Sequence, residues 1–155
     1  MEHLGNKEIL NCYKIGFLCS RKVPSTIILK TYDWAIAQRD AGKCVISGFH
    51  SKIEKDVLHY LLKGTQPIIM VLARGPYSQI PVLLKKEIEN GRLLIISPFR
   101  PSVKRTSEKE AFVRNEIIIE ISDELFVPFT FPGGQLEKLL EIIPSGNKKI
   151  TKLSP

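Results

Sequence analysis

Apolar residues in this chain gather in five short, partly β-branched runs: Ile15 to Cys19, Cys44 to Phe49, Pro67 to Ala73, Leu93 to Phe99 and Leu125 to Phe131. Near-continuous runs of this kind, as opposed to strict alternation with polar positions, mark strands covered on both faces, as in a parallel sheet. The stretches between them carry apolar residues at helical spacing: Ser25 to Ala41, Ser51 to Lys63, Ile80 to Asn90, Glu108 to Ser122 and Gln135 to Ile143. Gly42, Gly64 and Gly91 each fall just past a helix, where a left-handed C-cap is favoured. Ser25, after Pro24, and Ser51 are the expected N-caps. Strand and helix therefore alternate, joined by right-handed crossovers. The expected fold is α/β: a doubly wound, mainly parallel five-stranded sheet with helices on both faces.

Residues 1–13 read as a lead-in with a short helical turn, 14–143 as the domain and 144–155 as a flexible basic tail holding Lys148, Lys149 and Lys152. The chain's 155 residues suit one domain with a single core. No apolar run approaches the ~18 residues of a membrane span, and no apolar leader opens the chain. With three cysteines, an odd number, and no cysteine or histidine pair at metal-site spacing, a disulfide framework and a metal site are not expected. These features predict a soluble, cytoplasmic protein. Lys and Arg number 23 against 16 Asp and Glu, a formal charge of +7, which raises the weight of an anionic partner.

Candidate chemistry sits just beyond the strands, where α/β sheets collect ligands. Ser20 and Arg21 follow the first run; Ser47, Gly48 and Phe49 close the second. Arg74 follows the third, and Arg100 the fourth. Arg114 and Asn115 lie early in the fourth helix, with an ion pair to Glu110 as the competing role for the arginine. Gly133 and Gly134 follow Pro132 and read either as a backbone nest for an anion or as a plain turn. The Gly-x-Gly-x-x-Gly fingerprint and the Gly-x-x-x-x-Gly-Lys-Ser/Thr loop are both absent, which disfavours ordinary NAD and P-loop chemistry. His50 and His59 have no carboxylate partner implied by spacing, and Cys19 has no evident base, so no catalytic set is expected.

The order of these turns resembles the Rossmann-like domain of the DNA-processing protein A (DprA, or Smf) family, within the wider group that includes the LOG proteins. That family's Gly-Ser-Arg matches Cys19-Ser20-Arg21, and its Ser-Gly-Leu/Met-Ala-Arg-Gly-Ile-Asp runs along Ser47 to Glu54, keeping Ser and Gly and losing Arg and the second Gly. Its Leu-Gly-x-Gly-x-Asp-x-x-Tyr-Pro is echoed by Leu72 to Pro81, and its Ser-Glu by Ser97-Pro98. Its Phe-x-Arg-Asn-Arg-Ile-Ile corresponds to Phe112 to Ile118, with Glu116 in place of the second arginine.

The resemblance covers about residues 14 to 141. It implies a noncatalytic domain that binds single-stranded DNA or a nucleotide phosphate, in DNA processing or recombination, without a cofactor. The site it implies comprises Ser20, Arg21, Ser47, Gly48, Arg114 and Asn115; the residues themselves add Phe49, Arg74, Gly133 and Gly134. A recombinase is the protein partner implied, and pairing of two copies stays open. LOG enzymes read Pro-Gly-Gly-x-Gly-Thr-x-x-Glu; this chain keeps only Pro132-Gly133-Gly134 and loses the Gly-Thr and the in-register Glu, which argues against phosphoribohydrolase activity. A sensor or hydrolase for a nucleotide derivative, or a protein-interaction module, are the alternatives.

Overall fold

In a computed structural model, which describes residues 1–142, 146 and 148–154, five of the strands lie where the apolar runs place them. They are β2 (Lys14–Phe17), β3 (Cys44–Ser47), β4 (Ile68–Val71), β5 (Leu93–Ser97) and β6 (Glu124–Phe126). The helices are α1 (Ser25–Asp40), α2 (Lys52–Leu62), α3 (Val82–Glu89), α4 (Glu108–Ile121) and α5 (Gln135–Ile142). Among the described residues the sheet has seven strands, not five. β1 (Glu2–Gly5), within the lead-in, pairs antiparallel with β5, and β7 (Ile150–Thr151), within the tail expected to be loose, pairs parallel with β6. Lys7–Asn11 forms the short turn expected of the lead-in, as a 3-10 helix. The expected domain boundary at 143 lies outside the described residues.

The sheet order is β1-β5-β4-β3-β2-β6-β7. From β2 the chain steps outward through β3 and β4 to β5, then α4 carries it back across to β6 on the other side of β2. Right-handed crossovers running in opposite directions place their helices on opposite faces. Two buried clusters follow. One joins Ala35 of α1, Val57 and Leu61 of α2 and Leu84 of α3 to Ile15, Val45, Ile68, Met70, Leu93 and Ile95. The other joins Ile118 and Ile119 of α4 and Leu136 and Leu139 of α5 to Ile46, Ile69, Val71, Leu94 and Ile96. Successive residues of each strand thus feed opposite clusters, which is why the runs are continuously apolar.

Local chemistry sets the ends of the elements. Ser51 caps α2 in a capping box, its hydroxyl accepting from Glu54 N–H while Glu54 Oε1 accepts from Ser51 N–H at 3.0 Å. The expected cap at Ser25 is displaced by one residue: Pro24 holds the N-cap position and Ser25 begins the helix. Gly42 and Gly91 take the left-handed conformation expected after α1 and α3. Gly64 does not; a Cβ there would lie 2.2 Å from Gln66 Oε1 and 2.5 Å from Arg39 Cγ, so close approach is what calls for glycine.

Candidate nucleic-acid interface

The strand order reverses at β2, and the crevice above its carboxyl end is where such sheets bind ligands. A cavity of about 620 Å³ opens there. It is walled by Cys19 to Lys22 after β2, His50, Ser51 and Glu54 after β3, Phe131, Gly134 and Gln135 after β6, and Phe112, Arg114 and Asn115 of α4. A second cavity, of about 380 Å³, lies beyond β3 and β4 and takes in Gly48, Phe49, Arg74 and Tyr77. Its outer wall is Lys104, Arg105 and Thr106, from the segment joining β5 to α4. His50, Thr106 and Arg114 line both cavities and form the partition between them.

Arg114 is the centre of this arrangement. Only 6% exposed, it packs its guanidinium against Gly48, where a Cβ would fall 2.2 Å from Nη1. Its Nε donates to Asn115 Oδ1 at 2.8 Å. Glu110 instead accepts from the Ser107 hydroxyl, so the i,i+4 ion pair does not form. Among the described residues no acceptor meets Nη1 or Nη2 of Arg114, and no carboxylate lies within ion-pair distance of it. Burial holds its pKa below the usual arginine value, with Arg21 adding to the depression and Glu54 opposing it.

The other two buried cations among the described residues make the contrast. Arg92 donates to Gln66, Leu62 and Leu61 carbonyls and to Glu87 Oε2 at 2.8–3.1 Å, and Lys14 Nζ donates to the Leu10 and Cys12 carbonyls at 2.9 Å beside Asp123. Buried charges are ordinarily satisfied in this way. Arg114 instead has no protein acceptor for Nη1 or Nη2 among the described residues, and neither nitrogen is sealed from solvent.

The remaining candidates divide between support and surface. Ser47 lies fully buried under the turn, and its Oγ accepts from Phe49 N–H at 3.4 Å. Phe49 is the one described non-glycine residue with positive φ, +49°, a strained setting held by its burial in the core. Ser20 Oγ accepts from Phe131 N–H at 2.8 Å, tying the β2 end to the β6 turn. Gly134 lines the larger cavity and Gly133 lines neither. Their amides do not form an open nest, because Gly133 N–H donates to Glu137 Oε1 at 3.0 Å and Gly134 N–H to the Phe131 carbonyl at 2.9 Å. Arg74 stacks on Tyr77, its guanidinium carbon 5.0 Å from the ring centroid, whereas Arg100 lines neither cavity.

Several site residues escape sequence reasoning. His50, for which spacing implied no carboxylate partner, sits in the partition; burial, Arg114, Lys55 and Arg21 hold its pKa below 6.5 against the pull of Glu54. Phe131, 44% exposed, stands at the mouth of the larger cavity with Lys22 Nζ 5.7 Å from its ring centroid. The adjacent cations Lys104 and Arg105, just before α4, were a legible signal. Cys19 lines the larger cavity as a thiol: burial, with Glu54 nearby, pushes its pKa up to about 12. No cluster of three metal-ligating side chains exists among the described residues. None of the described helices is long and apolar enough to cross a membrane.

Comparison with known structures places this fold beside DNA processing protein A from Helicobacter pylori, whose structure was described for its single-stranded DNA binding mode. The two share 16% identity at a TM-score of 0.79, over 99% of this chain and 71% of that one. DNA processing protein A from Streptococcus pneumoniae matches at 18% identity and a TM-score of 0.74; the alignment covers 99% of this chain and 54% of the pneumococcal protein. The Moco carrier protein from Chlamydomonas reinhardtii is more distant, at 13% identity and a TM-score of 0.53 over 90% and 75% of the two chains. No curated protein matches by sequence. The family model described as DNA recombination-mediator protein A matches residues 3–129, from β1 to the turn after β6, and the chain belongs to that family.

Proposed function

We propose that this chain binds single-stranded DNA through its phosphates at the carboxyl end of the sheet, in DNA processing or recombination, and without catalysing a reaction. The carrying observation is Arg114, a buried cation whose terminal N–H groups find no acceptor among the described residues and line both cavities. Such a group, kept charged at a cost in a cleft, is a functional-site signature. Arg21 adds charge, Gly48 leaves the guanidinium room, Asn115 fixes its orientation and Ser20 holds the facing turn. Phe131 offers an exposed aromatic face for a base, an interaction indifferent to sequence. The single-stranded DNA binding mode described for the H. pylori protein supports the same ligand class. A recombinase and a second copy of the chain are the protein partners in this reading. The cytoplasm is its compartment, in keeping with three free cysteines.

Fluorescence anisotropy with a labelled oligothymidylate tests it. Affinity falls with rising salt, the logarithmic slope being about −0.7 per phosphate neutralised, and Arg114→Ala weakens it. Salt-independent binding, or none, refutes the reading; stabilisation by mononucleotides alone in a thermal-shift series favours a nucleotide sensor instead.

A further inference from the structure

The smaller cavity differs in electrostatic character from the larger. Lys55, Arg74, Lys104, Arg105 and Arg114 line it and no carboxylate does, whereas Glu54 and Glu108 offset the cations of the larger one. We propose that the smaller cavity is a second phosphate subsite, so that the ligand proper is a dinucleotide or longer strand laid across Arg114 with one phosphate on each side. This rests on the reading above and specifies its ligand.

Three features build the subsite. Its volume of about 380 Å³ falls within the range of small-molecule sites and accommodates a sugar phosphate. Arg74 is held in place by stacking on Tyr77, and its Nε donates to the Gly75 carbonyl at 3.3 Å. The loop carrying Lys104 and Arg105 is anchored against Gly75, whose N–H donates to the Val103 carbonyl at 2.7 Å. A Cβ at Gly75 would fall 2.1 Å from the Arg100 carbonyl oxygen, so the two loops meet backbone to backbone. The partition of His50, Thr106 and Arg114 is one layer of side chains thick, and Arg114 has two unpartnered nitrogens to share between neighbouring anions. A strand with successive phosphates on a flexible backbone can place one in each cavity; a mononucleotide fills one half.

Lys104 and Arg105 are exposed and line only the smaller cavity, so Lys104→Gln/Arg105→Gln leaves the core and the larger cavity intact. Wild-type protein is expected to bind 5′-phosphorylated dithymidylate at least about tenfold more tightly than thymidine monophosphate at the same salt. The double variant is expected to lose that advantage, with a salt slope for oligothymidylate shallower by about 0.7. Unaltered oligonucleotide affinity and slope in the double variant, with Arg114→Ala still weakening binding, overturn the second subsite alone. Failure of wild-type protein to bind any oligonucleotide overturns both this inference and the reading beneath it.

Discussion

Replacing Arg114 by methionine should make the protein more stable and less able to bind. Arg114 is 6% exposed and carries one hydrogen bond, to a half-exposed Asn115, while burial lowers its pKa and Glu54 and Arg21 act on it in opposite senses. Methionine keeps most of the length and the apolar stem while removing a buried charge that Glu54 offsets only in part; replacing buried ionic groups by apolar ones of similar size is often neutral or stabilising by up to about 4 kcal/mol. Loss of the bond to Asn115 costs about 1 kcal/mol at most, because that amide remains reachable by water. A net gain of about 1 kcal/mol corresponds to a rise in Tm of about 2–4 °C for a chain of this length. For binding, each charge-assisted hydrogen bond to a phosphate is worth about 1.5–3 kcal/mol, so its removal weakens affinity roughly 10- to 150-fold. Differential scanning fluorimetry and anisotropy on the same preparation give both numbers. A fall in Tm of several degrees with binding unchanged would show Arg114 to be a structural residue and refute the argument.

Gly48→Ala should displace the same guanidinium, since the new Cβ meets only the tip of that side chain; binding should fall as far as in Arg114→Met, with less than about 1 kcal/mol of stability lost, and the two changes should not add. His50 should titrate below 6.5 by NMR and move upward in Arg114→Met or on adding oligonucleotide, because removing or neutralising a nearby cation favours the imidazolium. The depressed folded-state value means that the histidine's contribution to stability is present above pH about 6.5 and is lost as pH falls through its folded pKa; a titration indifferent to Arg114 counts against the arrangement. Gly75→Ala should lower stability by about 1–3 kcal/mol, because its clash is with backbone and cannot be relieved by a rotamer change. Mass spectrometry after brief alkylation at pH 8 should find Cys12 modified ahead of Cys19 and Cys44, whose thiols are both pushed up to about 12 by burial; early labelling of Cys19 would mean the larger cavity activates it.

The continuous apolar runs announced the buried strands because two clusters claim alternate residues of each. They overshot the strand ends for the same reason. Leu18, Cys19, Phe49, Leu72 and Val127 are buried beyond the ends of β2, β3, β4 and β6, where Leu18, Leu72 and Val127 each still donate a backbone N–H to a neighbouring strand, and hydrophobicity reports burial whether or not a regular strand continues. Two edge strands went unread because Glu2 to Gly5 and Ile150-Thr151 are short and partly exposed; their pairing is set by the neighbours β5 and β6. At the site, Ser20, Arg21, Gly48 and Arg74 were placed beyond strand ends and Arg114 and Asn115 early in the fourth helix, and all six line the two cavities. The closed turn at Gly133 was not legible, since Glu137 reaches back to it only once α5 has formed. His50 and Phe131 gain their positions from segments distant in the chain.

The edge strands provide a ruler. Glu2 pairs with Ser97 and Thr151 with Phe126, so both edges present a residue at the same end of the sheet as the cavities. Six strand spacings separate them, roughly 29 Å. A dye at position 2 and another at 151 would therefore bracket the row of strand ends like two posts. Energy transfer from an oligonucleotide labelled at its 5′ end would reveal which post that end approaches, and hence the direction in which a strand crosses the sheet.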